Sequence, residues 1–299
     1  MARNATPISK DWDYNVVMED LMTIDGKKSG YKCTRRTDNG MVLNPVTKDY
    51  GIVQNSDLFP RVRSAFADHG WNENDYNEDI WVARDGRRVY GRYDFKNEVI
   101  KLPQVGDELG LRLTVNNSFD RTCKVSFSVG MLRLVCTNGM TALDSEFSMQ
   151  RKHSNKLDLN FIQDALENAV EAWDSLKKDG NPFTRMASFK LTQEEGLNIL
   201  QNLTGNTSKK PLSEVQRESI AQIWNGPTYS EDEGRNVWNL LNASTQYLSN
   251  DTDVNRFEMV ERVTSGVTKN LMAATRNPKG VLAKLKEAPK LEEVVVANN

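Results

Sequence analysis

Histidine is nearly missing from this chain, with His69 and His153 the two in 299 residues, and cysteine is scarce at three. Two imidazoles cannot build a histidine-rich metal centre. Cys33, Cys123 and Cys136 are odd in number, widely spaced and without a CxxC pair, which argues against zinc and against a disulfide framework. Cys123 and Cys136 fall on predicted apolar strand faces, so buried, reduced thiols are expected. No apolar run approaches a membrane span, and the opening MARNATPISKDWDY has no apolar core of the kind a signal peptide needs. A soluble, cytoplasmic protein with no membrane partner is the expectation. Neither sign of charge dominates: 39 lysines and arginines stand against 41 aspartates and glutamates, for a net charge of −2. Any pull on a polyanion must come from local segregation of charge.

The usual chemical motifs are missing too. There is no P-loop, no GxSxG and no HExxH, and Gly106 and Gly110 do not make a dinucleotide fingerprint. Cys136 ends a predicted strand beside a turn, as a nucleophile could, but free cysteine is more often a small buried hydrophobe. His153 could serve as a base, but it lies in the basic run Arg151-Lys152-His153-Ser154-Asn155-Lys156, which would depress its pKa, and reads more simply as a surface group. Asp75, Glu78 and Asp79 could hold a cation, yet lack the spacing of a calcium loop and read as a solvated acidic loop over 72–79. An enzyme is not supported, and no cofactor is expected.

What is present begins with the stretch Asp107 to Met140. Leu109, Leu111, Leu113 and Val115 alternate with Gly110, Arg112, Thr114 and Asn116, the period of a half-buried strand. After the turn NNSFDR, Cys123, Val125, Phe127 and Val129 alternate with Lys124, Ser126 and Ser128. At Gly130-Met131 the apolar phase passes to Leu132, Leu134 and Cys136. Such a flip predicts a β-bulge there. Asn138-Gly139 supplies a turn. The result is a long, bent antiparallel ribbon with one apolar and one polar, partly basic face.

Around it, the sequence predicts a hairpin at Asp38-Asn39-Gly40, a helix capped by Ser56 and stopped by Gly70, and a turn at Asp85-Gly86. The fold class expected is α+β: an antiparallel meander of four or five strands between roughly residues 80 and 137, then a helical C-terminal half. Phe161, Ile162, Ala165, Leu166, Ala169, Val170, Trp173 and Leu176 mark one helical stripe. Capping boxes at Thr192/Glu195, Ser213/Gln216 and Ser230/Glu233 predict three more helices, and a last one spans about 254–275. The organisation expected is a strand-rich core over 1–150, a helical region over 151–276 packing on the sheet, and a flexible tail over 277–299.

The positive functional signal is a basic, aromatic sheet. Arg84, Arg87, Arg88, Arg92, Lys96, Lys101, Arg112, Arg121, Lys124 and Arg133 outnumber the six acids in the same interval, with Tyr90, Tyr93 and Phe95 interleaved. Charge that tracks phosphates beside rings that stack on bases is how single-strand binders work. Arg87, Arg88, Arg92, Arg112, Lys124 and Arg133, with Arg151 and Lys152 of the connector, are the expected phosphate contacts. Tyr90 and Tyr93 are the expected stacking platforms. An ordinary solvated sheet face is the competing reading.

The segments NPVTKDYGIVQNSDLF, VNNSFDRTCKVSFSVGMLRLVCTNGM, RKHSNK with its following helix, and VWNLLNASTQYLSND together resemble a phage- and plasmid-borne family of unknown function. The likeness spans about residues 41–275. Where members of that family often carry a histidine, this chain has Phe119. The layout is also similar in outline to Rad52-like single-strand annealing proteins, an analogy of fold alone. The family resemblance implies a mobile-element origin and no established activity; the basic, aromatic ribbon and the annealing-protein analogy together lead to the expectation of a protein that binds single-stranded DNA in recombination or replication, without catalysis, as a homo-oligomer and alongside host or phage replication proteins. The alternative is an interaction or host-takeover factor whose helical half, or the tail segment Leu291 to Val296, docks a partner. A weak nuclease is a third reading.

Overall fold

The computed structural model describes residues 11–134, 139–140, 148–178, 181–203, 212–250 and 257–288. The fold is α+β. By contacts the chain divides into two units: 1–101 with 108–179 and 252–261, and 102–107 with 180–251 and 262–299.

The first unit holds two antiparallel sheets. β1 (Val16–Met22), β2 (Lys28–Arg36) and β3 (Val42–Val46) form the smaller one, and Gly40, at φ 72°, turns the β2–β3 hairpin as the Asp-Asn-Gly signal predicts. The larger sheet has six strands. β4 (Tyr76–Ala83), β5 (Arg88–Leu102), β6 (Asp107–Ser118), β7 (Val125–Arg133) and β8 (Gly139–Met140) follow in order, and β9 (Ser148–Arg151) also pairs with β7. The β4–β5 connection runs through Arg84, Asp85 and Gly86, all at positive φ, where the Asp85-Gly86 turn was expected.

The alternation of β6 and β7 does what its period demands on one side. Leu109, Leu111, Leu113 and Val115 face Arg133, Met131, Val129 and Phe127, and all are buried. α1 (Asn55–Asp68) packs here: the Phe66 ring meets Tyr76, Tyr93, Phe95 and Phe127 edge-on at 5.0–6.5 Å. The opposite side departs from the expectation, because Arg112, Thr114, Asn116, Ser126 and Ser128 are buried as well. The predicted bulge is also absent. Register runs without a shift from Leu109↔Arg133 to Asn116↔Ser126, and Met131 stays on the face of Val129. Leu132 and Leu134 are simply apolar residues on the other side, and Leu134 is 38% exposed. Cys136, Asn138 and the turn they were expected to make lie outside the described residues.

The expected acidic loop is shorter than predicted. β4 begins at Tyr76, and Glu78 and Asp79 lie in it, ion-paired with Arg63 at 2.7 Å and Arg92 at 2.9 Å. α2 (Phe161–Leu176) buries its predicted stripe, with Val170 half-buried, and Trp173 Nε1 donates to Glu98 at 3.0 Å.

The second unit is helical: α3 (Pro182–Ser188), α4 (Gln193–Asn202), α5 (Glu214–Asn225), α6 (Val237–Asn250), α7 (Phe257–Arg276, in this unit from Arg262) and α8 (Ala283–Lys286). The boxes at Thr192/Glu195 and Ser213/Gln216 are present. The third is not. Ser230 opens only a 3₁₀ turn, Arg235 takes φ 44°, and α6 starts later on a reciprocal Asn236/Asn239 pair. Within the expected tail, residues 278–286 are helical. A π-turn over Pro278–Leu282 leads into α8, where Asn198 and Asn202 donate to backbone carbonyls of residues 285–287 and Lys286 pairs with Glu195 at 3.1 Å. Leu291 to Val296 lie outside the described residues. Among the described residues no helix is long and apolar enough to cross a membrane.

Candidate nucleic-acid interface

The structure dismantles most of the expected arginine–tyrosine platform. Arg88, Tyr90 and Arg92 do share a side of β5, as alternation requires, but that side is covered. Arg88 is 3% exposed, its Nε donating to Thr122 Oγ1 at 2.7 Å and its Nη1 lying 3.4 Å from the Tyr90 hydroxyl. Tyr90 is buried and stacks on Trp81 with ring centres 5.6 Å apart. Tyr93 points to the opposite side and is wholly buried against Phe66. Arg112 is gripped by both oxygens of Asp94, at 2.5 and 2.8 Å. Arg92 sits between Asp79 and Asp94, and burial with repulsion from Arg112 lowers its pKa. Arg133 is buried at the end of β7. Arg87 Nε donates to the Leu43 carbonyl at 2.9 Å, and its Nη1 lies 3.3 Å from Asp85. These side chains hold the sheet together; a buried ring cannot stack on a base, and a guanidinium satisfied by carboxylates has little left for a phosphate.

Lys124, Arg151 and Lys152 are different. All three are exposed. Lys124 and Lys152 stand one residue beyond the Val125↔Arg151 pair of β7 and β9, and both line a cleft of about 590 Å³. Its floor is a cross-strand row. Asn116 of β6 pairs with Ser126 of β7, Ser126 pairs with Gln150 of β9, and all three line the cleft. The β6–β7 turn supplies Arg121, Thr122 and Cys123, and Tyr50 and His153 complete the wall. Arg121 is exposed at φ 66°, held there by a turn in which Asp120 accepts from Thr122 N at 3.0 Å and from its hydroxyl. Among the described residues Arg121, Lys124 and Lys152 make no ion pair, and all three line the cleft, with the buried Asp120 carboxylate near enough to act on Tyr50 and His153 in its wall. Arg151 alternates to the other face of β9 and does not line the cleft, its guanidinium lying 5.5 Å over the Phe161 ring.

His153 is not the surface group expected. Its ring stacks on Tyr50 at 5.1 Å, and Nδ1 lies 3.2 Å from the Gly51 carbonyl. A carbonyl only accepts, so Nδ1 carries the proton and Nε2 presents a lone pair. Nε2 is buried with no partner, and burial lowers the imidazole to about 4, which keeps it neutral. Gly51 is required there, because a Cβ at that position would run into the Ser154 carbonyl. Asn116, 8% exposed, likewise leaves Oδ1 unpartnered. Tyr50 is anchored by donating to the Ser118 carbonyl at 2.8 Å, and burial pushes its phenol up. Arg121 was visible in sequence as one more turn cation. Asn116, Tyr50, Gln150 and His153 carried no signal, because only the pairing of β6, β7 and β9 brings them together.

A family profile described as Domain of unknown function (DUF932) matches residues 42–284, which covers the cleft and most of both units. No curated protein and no solved structure matches.

Proposed function

This chain belongs to the DUF932 family, and we propose that it binds single-stranded DNA through the cleft at the β6–β7 turn, without catalysis, in the recombination or replication of a mobile element. The observation that supports this reading is the convergence of Arg121, Lys124 and Lys152 on one cleft, with no ion pair to any of the three among the described residues. On a chain of net charge −2 such segregation creates a local site for a polyanion. Of the contacts the sequence suggested, Lys124 and Lys152 keep that role in this reading, and Arg121 joins them.

The test is fluorescence anisotropy of a labelled twelve-nucleotide strand over a salt series. Three or four phosphate contacts on a single strand give a slope of log affinity against log salt of about −2 to −3. Lys124→Ala, Lys152→Ala and Arg121→Ala each reduce that slope by about 0.7. Affinity no tighter than about millimolar at low salt, or a flat salt dependence, overturns the proposal.

A further inference from the structure

Two of the cleft's cations are set against each other. The β7–β9 register, Val125↔Arg151 and Ser126↔Gln150, continued by one residue puts Lys124 across from Lys152 on the side of Ser126 and Gln150, and both lysines line the cleft. Directly opposed residues of an antiparallel pair stand about 5 Å apart at Cα, and like charges so placed repel. Arg121, on the β6–β7 turn, brings a third cation to the same cleft, and none of the three makes an ion pair among the described residues. Asp120 leaves them unpaired: it is buried, does not line the cleft, and accepts from Thr122 N and the Thr122 hydroxyl within the turn. Asn116 Oδ1 and His153 Nε2 are sealed from solvent, and the His153 ring is neutral, so the charge a ligand meets is that of the two lysines and the arginine.

Resting on the reading above, we infer that the cleft takes the phosphorylated end of a strand, with the terminal phosphomonoester between Lys124 and Lys152 and the next phosphodiester towards Arg121. The charges match in this arrangement. A phosphomonoester carries close to two negative charges at neutral pH, on three strong acceptor oxygens, and meets two ammonium groups; a phosphodiester carries one and meets one guanidinium. An internal phosphodiester set between the lysines neutralises one of them and leaves the other charge uncompensated, whereas a dianion removes the repulsion of the pair. Gln150, exposed on the same side as Lys152, adds an uncharged amide donor. The volume, about 590 Å³, suits one terminal nucleotide. An unphosphorylated strand still binds, through phosphodiesters alone and more weakly.

The experiment compares internally labelled oligo-dT of twelve nucleotides carrying a 5′-phosphate, a 3′-phosphate or hydroxyls at both ends, at one salt concentration on the full chain. The expected result is that a terminal phosphate, at one end or at either, tightens binding roughly tenfold over the unphosphorylated strand, the worth of one added hydrogen bond to a charged group. Lys124→Ala and Lys152→Ala each bring that ratio close to one, while Arg151→Ala, on the other face of β9, leaves it as in the wild type. Thymidine 5′-monophosphate, competed against the labelled strand, separates a strand end from a free nucleotide: lacking the phosphodiester for Arg121, it binds roughly tenfold more weakly than the phosphorylated strand, and equal affinity overturns the assignment to a strand end. Equal affinities for phosphorylated and unphosphorylated strands with a normal salt slope overturn end recognition and leave strand binding standing. Failure of all three strands to bind overturns both readings.

Discussion

The buried pair of Arg112 and Asp94 yields the sharpest prediction, because it separates structural arginines from ligand-binding ones. Asp94 serves two cations: both its oxygens take Arg112, and Arg92 Nε lies 3.7 Å from it. Arg112 has a 9% exposed side chain and, among the described residues, no other carboxylate; Arg92 still has Asp79 at 2.9 Å. Asp94→Ala therefore strands a buried guanidinium, which costs about 3–5 kcal/mol. Arg112→Met removes the charge itself and leaves Asp94 beside Arg92, so it costs less, about 1–2 kcal/mol. The double variant should be more stable than Asp94→Ala alone, with a coupling of about 2 kcal/mol. Urea unfolding of the four proteins at low and high salt reads this directly. Because the pair is out of water, the differences should barely move with ionic strength. Asp94→Ala costing under about 1 kcal/mol, or a double variant equal to the sum of the singles, would refute the assignment of Arg112 to the interior.

The same logic divides the remaining residues. Tyr90→Ala, which empties a buried ring position against Trp81, should cost about 3–5 kcal/mol in urea unfolding; Lys124→Ala and Lys152→Ala should shift stability by no more than about 0.5 kcal/mol while weakening oligonucleotide binding. His153 is held near 4 in the folded protein against an ordinary value of 6.5. The unfolded chain thus binds a proton between those values that the folded chain does not, so this group's stabilising contribution is intact above 6.5 and is lost as pH falls towards 4. Wild type should lose up to about 3 kcal/mol more than His153→Gln between pH 7 and pH 4 in urea titrations, and identical losses would contradict a buried neutral imidazole. Gly51→Ala, whose Cβ meets the Ser154 backbone, should lower stability by about 1–3 kcal/mol, seen as an earlier thermal transition.

Local chemistry was enough for much of the fold. The period-2 alternation of Leu109 to Val115 and Val125 to Val129, the helical stripe from Phe161 to Leu176, the turn at Gly40 and two of three capping boxes each depend on neighbours a few residues away, so the α+β class was legible in the chain itself. The third box misled because its Ser230–Glu233 spacing is local, while the stop at Gly234-Arg235 and the Asn236/Asn239 start belong to the packing of α6. The fate of the arginines was not legible. Whether Arg88, Arg92 and Arg112 meet solvent or Thr122, Asp79 and Asp94 depends on strand register and on burial of a second sheet face, and alternation is the same either way. The cleft was decided by tertiary structure alone. Tyr50, Asn116, Arg121, Lys124, Gln150 and His153 come from segments up to a hundred residues apart, and only antiparallel pairing of three strands and the close approach of Gly51 to Ser154 bring their side chains to one place.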